Sequence, residues 1–255
     1  MILKTLIKFP ILKRLIPSIY KKYIYFTDRY IVRKKIDGII YLLDTRHLID
    51  RNFYLRENYE DILFLSAKKL IISNKINFFL DIGSCWGIYS LRLSKIKKLK
   101  ILSFDPIKKN ISRLREMITI NNLKNIKIYN TALGNKKGIV KLFGDADFTP
   151  NYSIYEKNQK NMSISKINKL DNIVKIKKKN LYLKVDIEGH EYSFIIGAKN
   201  IFLDNNVILQ IELLKENKSK VFKYLSKYKF YLINSYQDDY IFSNFKLNNQ
   251  HKFKH

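Results

Sequence analysis

Asp81, Gly83, Ser84 and Gly87 are spaced for cofactor chemistry. They sit in the run Asp81-Ile82-Gly83-Ser84-Cys85-Trp86-Gly87-Ile88-Tyr89-Ser90, behind the apolar Phe78-Phe79-Leu80. The run reads as a buried strand ending in a glycine turn that opens a helix. A helix N-terminus offers unpaired N–H groups and a partial positive charge, so it collects polar or anionic cofactor groups. Glycine at 83 and 87 lets the backbone approach a ligand where a Cβ would collide. The Asp-x-Gly-x-x-x-Gly spacing is neither the Gly-x-Gly-x-x-Gly of dinucleotide sites nor the Gly-x-x-x-x-Gly-Lys-Ser/Thr of P-loops, which argues against nucleotide phosphates as the guest. Cys85 and Trp86 read as packing or pocket wall.

Such a turn needs a sheet to hold it. A helix from about Trp86 to Lys97 leads to a strand, Lys100 to Phe104, ending at Asp105. A carboxylate at the tip of the second strand of a βαβ unit can accept hydrogen bonds from both ribose hydroxyls of an adenosine-type ligand. Pro106 starts a helix to about Asn121. A strand from Asn125 to Asn130 follows, and its exit loop, Thr131-Ala132-Leu133-Gly134, would border the adenine. Further on, Leu181 to Asp186 and Val207 to Glu212 read as strands, the first followed by a helix through Asn200. A helix over about Lys215 to Ser226 and a hairpin (Phe230 to Asn234, Tyr240 to Ser243) complete the pattern. Upstream, Ile39 to Leu43 suggests a strand or hairpin, and Glu57 to Ile72 a helix with one apolar side.

This pattern resembles a class I S-adenosylmethionine-dependent methyltransferase, and specifically the FkbM family. Beyond the glycine turn, three segments carry the resemblance: Asn130 to Asn135, Leu183-Lys184-Val185-Asp186-Ile187-Glu188-Gly189-His190-Glu191, and Val207 to Glu212. It spans roughly residues 55 to 245. It implies a Rossmann-like α/β fold with a mostly parallel seven-stranded sheet flanked by helices. It also implies that Asp81, Gly83 and Gly87, with Ser84 in the same turn, surround the methionine moiety, that Asp105 holds the ribose and Ala132 touches the adenine. Glu60 would lie at the pocket edge. Asp105 stands where the family more often has Glu. The implied reaction is O-methylation, often of a sugar hydroxyl in a polysaccharide, glycolipid or secondary metabolite.

In a parallel sheet, ligands bind beyond the carboxyl ends of the strands. Asp186, Glu188, His190 and Glu212 therefore converge where a methyl donor must point. Methyl transfer is an in-line displacement, so alignment supplies much of the acceleration, and an alcohol acceptor gains from a base that removes its proton. His190 has the pKa for that task, and Asp186 or Glu188 could serve if desolvated. Asp186, Glu188 and Glu212 could instead hold Mg²⁺ or Ca²⁺; metal-free catalysis is the favoured expectation. Each residue also has a structural use, Asp186 as a helix N-cap, Glu188 and Glu191 as first-turn acids, Glu212 as a lysine partner.

At 255 residues and 46% hydrophobic composition, the chain suits one α/β domain over residues 51–245, an N-terminal extension over 1–50 and a basic tail over 246–255. Its single cysteine excludes an intramolecular disulfide framework and fits a cytoplasmic setting. The net charge of +27 raises a nucleic-acid partner, but 40 of the 49 basic residues are lysine, whereas bidentate phosphate and base recognition favours arginine. No Asn/Asp-Pro-Pro-aromatic tetrad or second cysteine points to RNA methylation, so a nucleic-acid partner is not expected. Residues 1–35 hold ten Lys or Arg, one acid and many apolar residues. They read as short helices broken at Pro10 and Pro17, packed on the domain or lying peripherally in a membrane interface. Between Gly138 and Lys179 helical periodicity is lost. Ile139 to Phe143 suggests a strand, and Gly144 to Ser153 a loop suited to a substrate lid.

Overall fold

A computed structural model describes residues 15–16, 18–20, 22–23, 30–57, 59–144, 152–153 and 161–248. Most of the basic segment 1–35 with Pro10 and Pro17, most of the lid loop 144–153, and the tail beyond residue 248 lie outside the described residues. Among the described residues no helix is long and apolar enough to cross a membrane.

Residues 15–16, 18–20 and 22–23 are helical, and the first hairpin comprises β1 (Ile31–Ile36) and β2 (Ile39–Asp44), joined by Asp37-Gly38. Both turn residues have positive φ, 49° and 78°, the geometry that suits Asp-Gly to a two-residue hairpin. The hairpin belongs to the core: Ile39, Tyr41 and Leu43 are buried against Phe53, Trp86, Leu91 and Leu114. The Asn121 amide pairs with both the N–H and the C=O of Ile40, each at 2.7 Å, and extends the hairpin's hydrogen bonding. Two helices follow, α1 (Leu48–Arg56) and α2 (Asp61–Ser73). The expected helix start at Glu57 moves to Asp61 because Glu57 and Glu60 are left-handed, with φ of 57° and 49°.

The central unit runs β3 (Phe78–Ile82), α3 (Ile88–Leu93), β4 (Lys100–Phe104), α4 (Lys108–Ile120), β5 (Ile126–Tyr129). A second unit follows: β6 (Ala132–Leu133), β7 (Gly138–Gly144), β8 (Tyr152–Ser153), β9 (Asn161–Asn168) and α5 (Leu170–Ile173). The chain returns through β10 (Asn180–Val185), α6 (Glu191–Gly197), α7 (Lys199–Asp204), β11 (Asn206–Glu212), α8 (Lys215–Lys227), β12 (Tyr231–Tyr236) and β13 (Asp239–Ser243). The helix expected through Asn200 is thus two, interrupted at Ala198.

The main sheet has seven strands in the order β12-β13-β11-β10-β3-β4-β5, and β13 runs antiparallel to both neighbours. This is the expected mostly parallel architecture. From β3 the chain steps outward to β5, then returns to β10 on the other side of β3, so the order reverses between β3 and β10. Ligand crevices of open α/β sheets form at such a reversal.

Alternation along the strands feeds two apolar layers. Leu80, Ile82, Leu183 and Leu209 meet Phe194, Phe202 and Leu225 on one face; Phe79, Ile101, Tyr182 and Ile208 meet Phe64, Ala67, Ile71 and Leu93 on the other. One rung of that second face is polar. Ser103, Asp81, Lys184 and Gln210 lie side by side in register on β4, β3, β10 and β11, with exposures of 0%, 2%, 7% and 0%.

The second sheet, in the order β6-β9-β7-β8, adds to the expected β7 two short strands inside segments expected as loops, β6 and β8, and the longer β9, which the sequence does not signal. In β9 Ser165 and Ile167 turn inward while Met162 and Ile164 are exposed. Apolar residues on both faces erase the alternation that marks a half-buried strand.

Candidate active site

The turn after β3 is fixed by the backbone. Gly83 and Ser84 both donate N–H groups to the Phe104 carbonyl at 3.0 Å, and Gly87 donates to the Ser84 carbonyl at 2.7 Å. The two glycines are required, but by the chain's own atoms. A Cβ on Gly83, at φ 78°, would fall 1.8 Å from the Asp186 carbonyl oxygen, and one on Gly87, at φ 85°, would fall 2.5 Å from Leu114 Cδ1. Gly83 lets β3 and β10 close on each other at the reversal point. Gly87 N-caps α3 behind the turn, between Trp86 and Ile88, which line the cleft.

In front of the turn opens a cleft with a cavity volume of about 120 Å³, open to solvent. It brings together Asp81, Gly83, Ser84, Asp105, Ala132, Asp186, Glu188 and His190. Asp81 is buried and accepts a 2.6 Å hydrogen bond from Ser90 Oγ, which also meets Ser103 Oγ at 2.7 Å. Burial pushes the Asp81 carboxyl up, opposed by Lys184 and the Ser90 hydroxyl. Asp105 stands at the tip of β4. Its Oδ2 accepts from Cys85 N at 2.9 Å, and its Oδ1 from Ile107 N at 2.8 Å and Asn110 Nδ2 at 3.1 Å. Burial nevertheless pushes it up to about 7. Two oxygens with about four acceptor positions and three donors leave room for one more. The Ser84 hydroxyl is buried with no hydrogen-bond partner among the described residues. An orphaned hydroxyl at a cleft wall costs free energy until a ligand satisfies it. Burial raises the Cys85 thiol far above its ordinary value, which removes it as a nucleophile.

The strand-end cluster is divided by the structure. Glu188, in a left-handed conformation with φ 52°, and His190 face the cleft. The loop carrying them is tied by Gly189 N to Glu191 Oε1 at 2.9 Å and by Asn217 Nδ2 to the Gly189 carbonyl at 2.7 Å. Burial, reinforced by the charge of Lys136, lowers the His190 pKa and keeps the imidazole neutral at pH 7. Glu212 and Glu60 instead line a neighbouring cavity of about 340 Å³ with Asp61 and Asp239. Glu60 is linked back to the cleft through Tyr89, whose hydroxyl donates to it at 3.0 Å.

Lys184 and Asp186 line both spaces. The Lys184 ammonium contacts Asp186 Oδ2 at 2.9 Å and lies 5.0 Å from the centre of the Tyr89 ring. Burial works against its charge, but Asp186 and Glu60 outweigh that and hold its pKa well above the ordinary lysine value. Asp186 is held low, burial being overcome by Lys184 and by a hydrogen bond with Glu212. Glu212, pushed up by burial and by Asp186 to about 8, carries the proton of the pair at neutral pH. Among the described residues no three His, Cys, Asp or Glu side chains come together as a metal site. The cation expected as an option at Asp186, Glu188 and Glu212 therefore has no geometric support; Asp186 is drawn to Lys184, and Glu212 lines the other cavity.

Lys184 was given no role by the sequence reading. Its signal was there: Asp81 and Ser103 are the fourth residues of β3 and β4, Lys184 and Gln210 the fifth of β10 and β11, each interrupting an apolar run.

The sequence model described as Methyltransferase FkbM domain matches residues 81–232. No curated protein matches the chain. Among solved structures, an rRNA methylase from Streptococcus thermophilus is 11% identical with a TM-score of 0.44, covering 70% of this chain and 92% of its own. SMU.1697c from Streptococcus mutans, solved with SAH, is 11% identical with a TM-score of 0.46 over 73% and 98%. Precorrin-6y C5,15-methyltransferase from Geobacter metallireducens is 10% identical with a TM-score of 0.44 over 72% and 87%.

Proposed function

Because this chain belongs to the FkbM methyltransferase family, and so is an S-adenosylmethionine-dependent methyltransferase, we propose that its acceptor is a hydroxyl group on a sugar, glycan, glycolipid or secondary metabolite. The observation that carries this reading is the acid-lined second cavity meeting the cofactor cleft at Asp186. Hydroxyls donate to carboxylates, so a polyol suits that cavity. A phosphodiester would meet like charge at Glu60, while Asp61 and Asp186 are paired with Arg92 and Lys184.

The cofactor supplies an electrophilic methyl group on a sulfonium. The orphaned Ser84 hydroxyl and the spare acceptor position on Asp105 fit its polar groups. In this reading Asp105 accepts from the ribose, Ala132 meets the adenine, and Asp81, Gly83 and Ser84 line the methionine end, with Gly87 supporting the turn from behind and Glu60 steadying Tyr89. Asp186, ionised and facing both spaces, orients the acceptor hydroxyl and takes its proton. Glu212 steadies Asp186 from the acceptor side. Glu188 and neutral His190 close the cleft and exclude water, with His190 the alternative base.

RNA methylation is the second reading, favoured by the net charge of +27. A labelled-methyl transfer assay on extract fractions of nucleic acid, protein, lipid-linked glycan and small molecules separates the two. Label in the glycan or small-molecule fraction supports the hydroxyl reading; label confined to RNA overturns it. The enzyme is proposed to work in the cytoplasm, with residues 1–35 available for peripheral membrane contact. Equal liposome flotation with and without those residues would remove that contact.

A further inference from the structure

We propose that Lys184 is a positioning residue for methyl transfer: from the wall shared by the two cavities, its ammonium holds the Asp186 carboxylate in the orientation that meets the acceptor hydroxyl. This rests on the hydroxyl-acceptor reading for its chemistry, but the placement of Lys184 is independent of it.

A lysine in the middle of a parallel sheet is costly. Lys184 is 7% exposed, on a strand otherwise built of Leu181, Tyr182, Leu183 and Val185. Withdrawing an ammonium from water costs several kcal/mol even after relaxation, and a well-packed apolar residue of similar volume often serves a fold equally well or better. The ammonium is also not needed to satisfy its in-register neighbours. Asp81 already accepts from Ser90, while Gln210 accepts from the Tyr182 hydroxyl at 2.9 Å and donates to Asp239 at 3.0 Å. The Lys184 ammonium instead bonds Asp186, two residues on, beyond the end of β10.

The consequence for the reaction is specific. As the acceptor oxygen forms its bond to the methyl carbon, the carbon–sulfur bond breaks and its electron pair stays on sulfur. The hydroxyl proton passes to Asp186. For that, Asp186 must be ionised and held still, although Glu212 hydrogen-bonds it from the other side. Lys184 ensures that the proton of the pair stays on Glu212, leaving Asp186 as the acceptor.

The test compares Lys184→Met, which keeps the length without the charge, with Lys184→Arg. The groups facing this pair are Asp81 from β3, Tyr89 from α3, Tyr59 and Glu60 ahead of α2, Glu191 from α6, Glu212 from β11 and Asp239 from β13. The first readout needs no turnover: titration of the Asp186 carboxyl by carbon-13 NMR in the cofactor-free protein. The expected result is a protonation midpoint moved upward in Lys184→Met and restored toward wild type in Lys184→Arg. In the labelled-methyl assay, Lys184→Met should lose about 100-fold in kcat at pH 7, the scale of proton-transfer catalysis. KM for S-adenosylmethionine should change little, and activity should recover in part at higher pH as Asp186 ionises. An unmoved Asp186 midpoint in a folded Lys184→Met protein overturns the inference, as does a kcat loss equal at every pH. If Lys184→Met does not fold, the Arg variant decides: an Asp186 midpoint and pH profile like wild type support the role, and loss of both overturns it. A shifted midpoint in a protein that labels only RNA leaves the lysine inference standing and removes the hydroxyl reading.

Discussion

Replacing Gly83 by alanine tests the claim that the glycine turn is shaped by the meeting of β3 and β10. The new Cβ would lie 1.8 Å from the Asp186 carbonyl oxygen, a backbone atom that no side-chain rotation can move. An ordinary carbon–oxygen contact of about 3.3 Å requires the strand ends to part by about 1.5 Å. The bond from Asp186 N to the Ile82 carbonyl, now 3.0 Å, would then exceed hydrogen-bonding distance. Leaving such buried groups unpaired costs about 1–3 kcal/mol, and alanine at φ 78° adds about 1–2 kcal/mol. The total is a substantial share of the 5–15 kcal/mol that typically holds a domain together. Urea unfolding followed by circular dichroism should show the midpoint lowered by roughly 1–2 M, and calorimetry should show weakened S-adenosylmethionine binding because the turn carrying Gly83 and Ser84 is displaced. Gly138→Ala is the control: its Cβ would meet Ile167 Cγ2 at 3.9 Å, an ordinary contact, so stability should stay within about 0.5 kcal/mol of wild type. A Gly83→Ala protein with a wild-type midpoint and wild-type cofactor affinity would refute the reasoning.

Two further expectations concern pH. Burial pushes Asp105 up to about 7 in the free protein; if a ribose hydroxyl donates to its one spare acceptor position, binding favours the ionised form and releases a proton. S-adenosylmethionine affinity should therefore strengthen as pH rises through 7 and level off above, and Asp105→Asn should bind more weakly with a flatter profile; a wild-type affinity independent of pH contradicts the ribose role. Glu212 is raised from 4.5 to about 8 on folding, so between those values the folded chain keeps a proton that the unfolded chain has lost. Its contribution to stability is full below the unfolded pKa and is lost as pH rises through 8. The urea midpoint of Glu212→Gln should accordingly fall less than that of wild type between pH 5.5 and 8.5, and parallel falls would count against the shared proton.

The sequence made the main sheet readable because each buried strand is an apolar run bounded by a turn signal, as Phe78 to Ile82 is by Gly83. It also placed Asp81, Ser84, Asp105, Ala132, Asp186, Glu188 and His190 at one strand-end edge, since parallel strands share a carboxyl end; the reversal between β3 and β10 came from the fold. The partition of Glu60 and Glu212 into a second cavity was not legible. It depends on Lys184 drawing Asp186 into the shared wall, a contact between side chains that no periodicity records. β9 escaped for a different reason: Met162 and Ile164 face solvent, so its pattern resembles neither a core strand nor an amphipathic one.

The polar rung also bears on how this sheet finds its pairing. Strands buried on both faces are apolar throughout, so a strand slipped along its neighbour still matches grease with grease, and hydrophobicity alone specifies alignment weakly. Ser103, Asp81, Lys184 and Gln210 break that degeneracy. A two-residue slip of β10 would keep its faces but carry the Lys184 ammonium away from Asp81 and set it against hydrocarbon, a mispairing charged at several kcal/mol. The groups gathered beside the proposed methyl-transfer site thus also serve as an alignment mark, favouring one assembly of the parallel strands during folding.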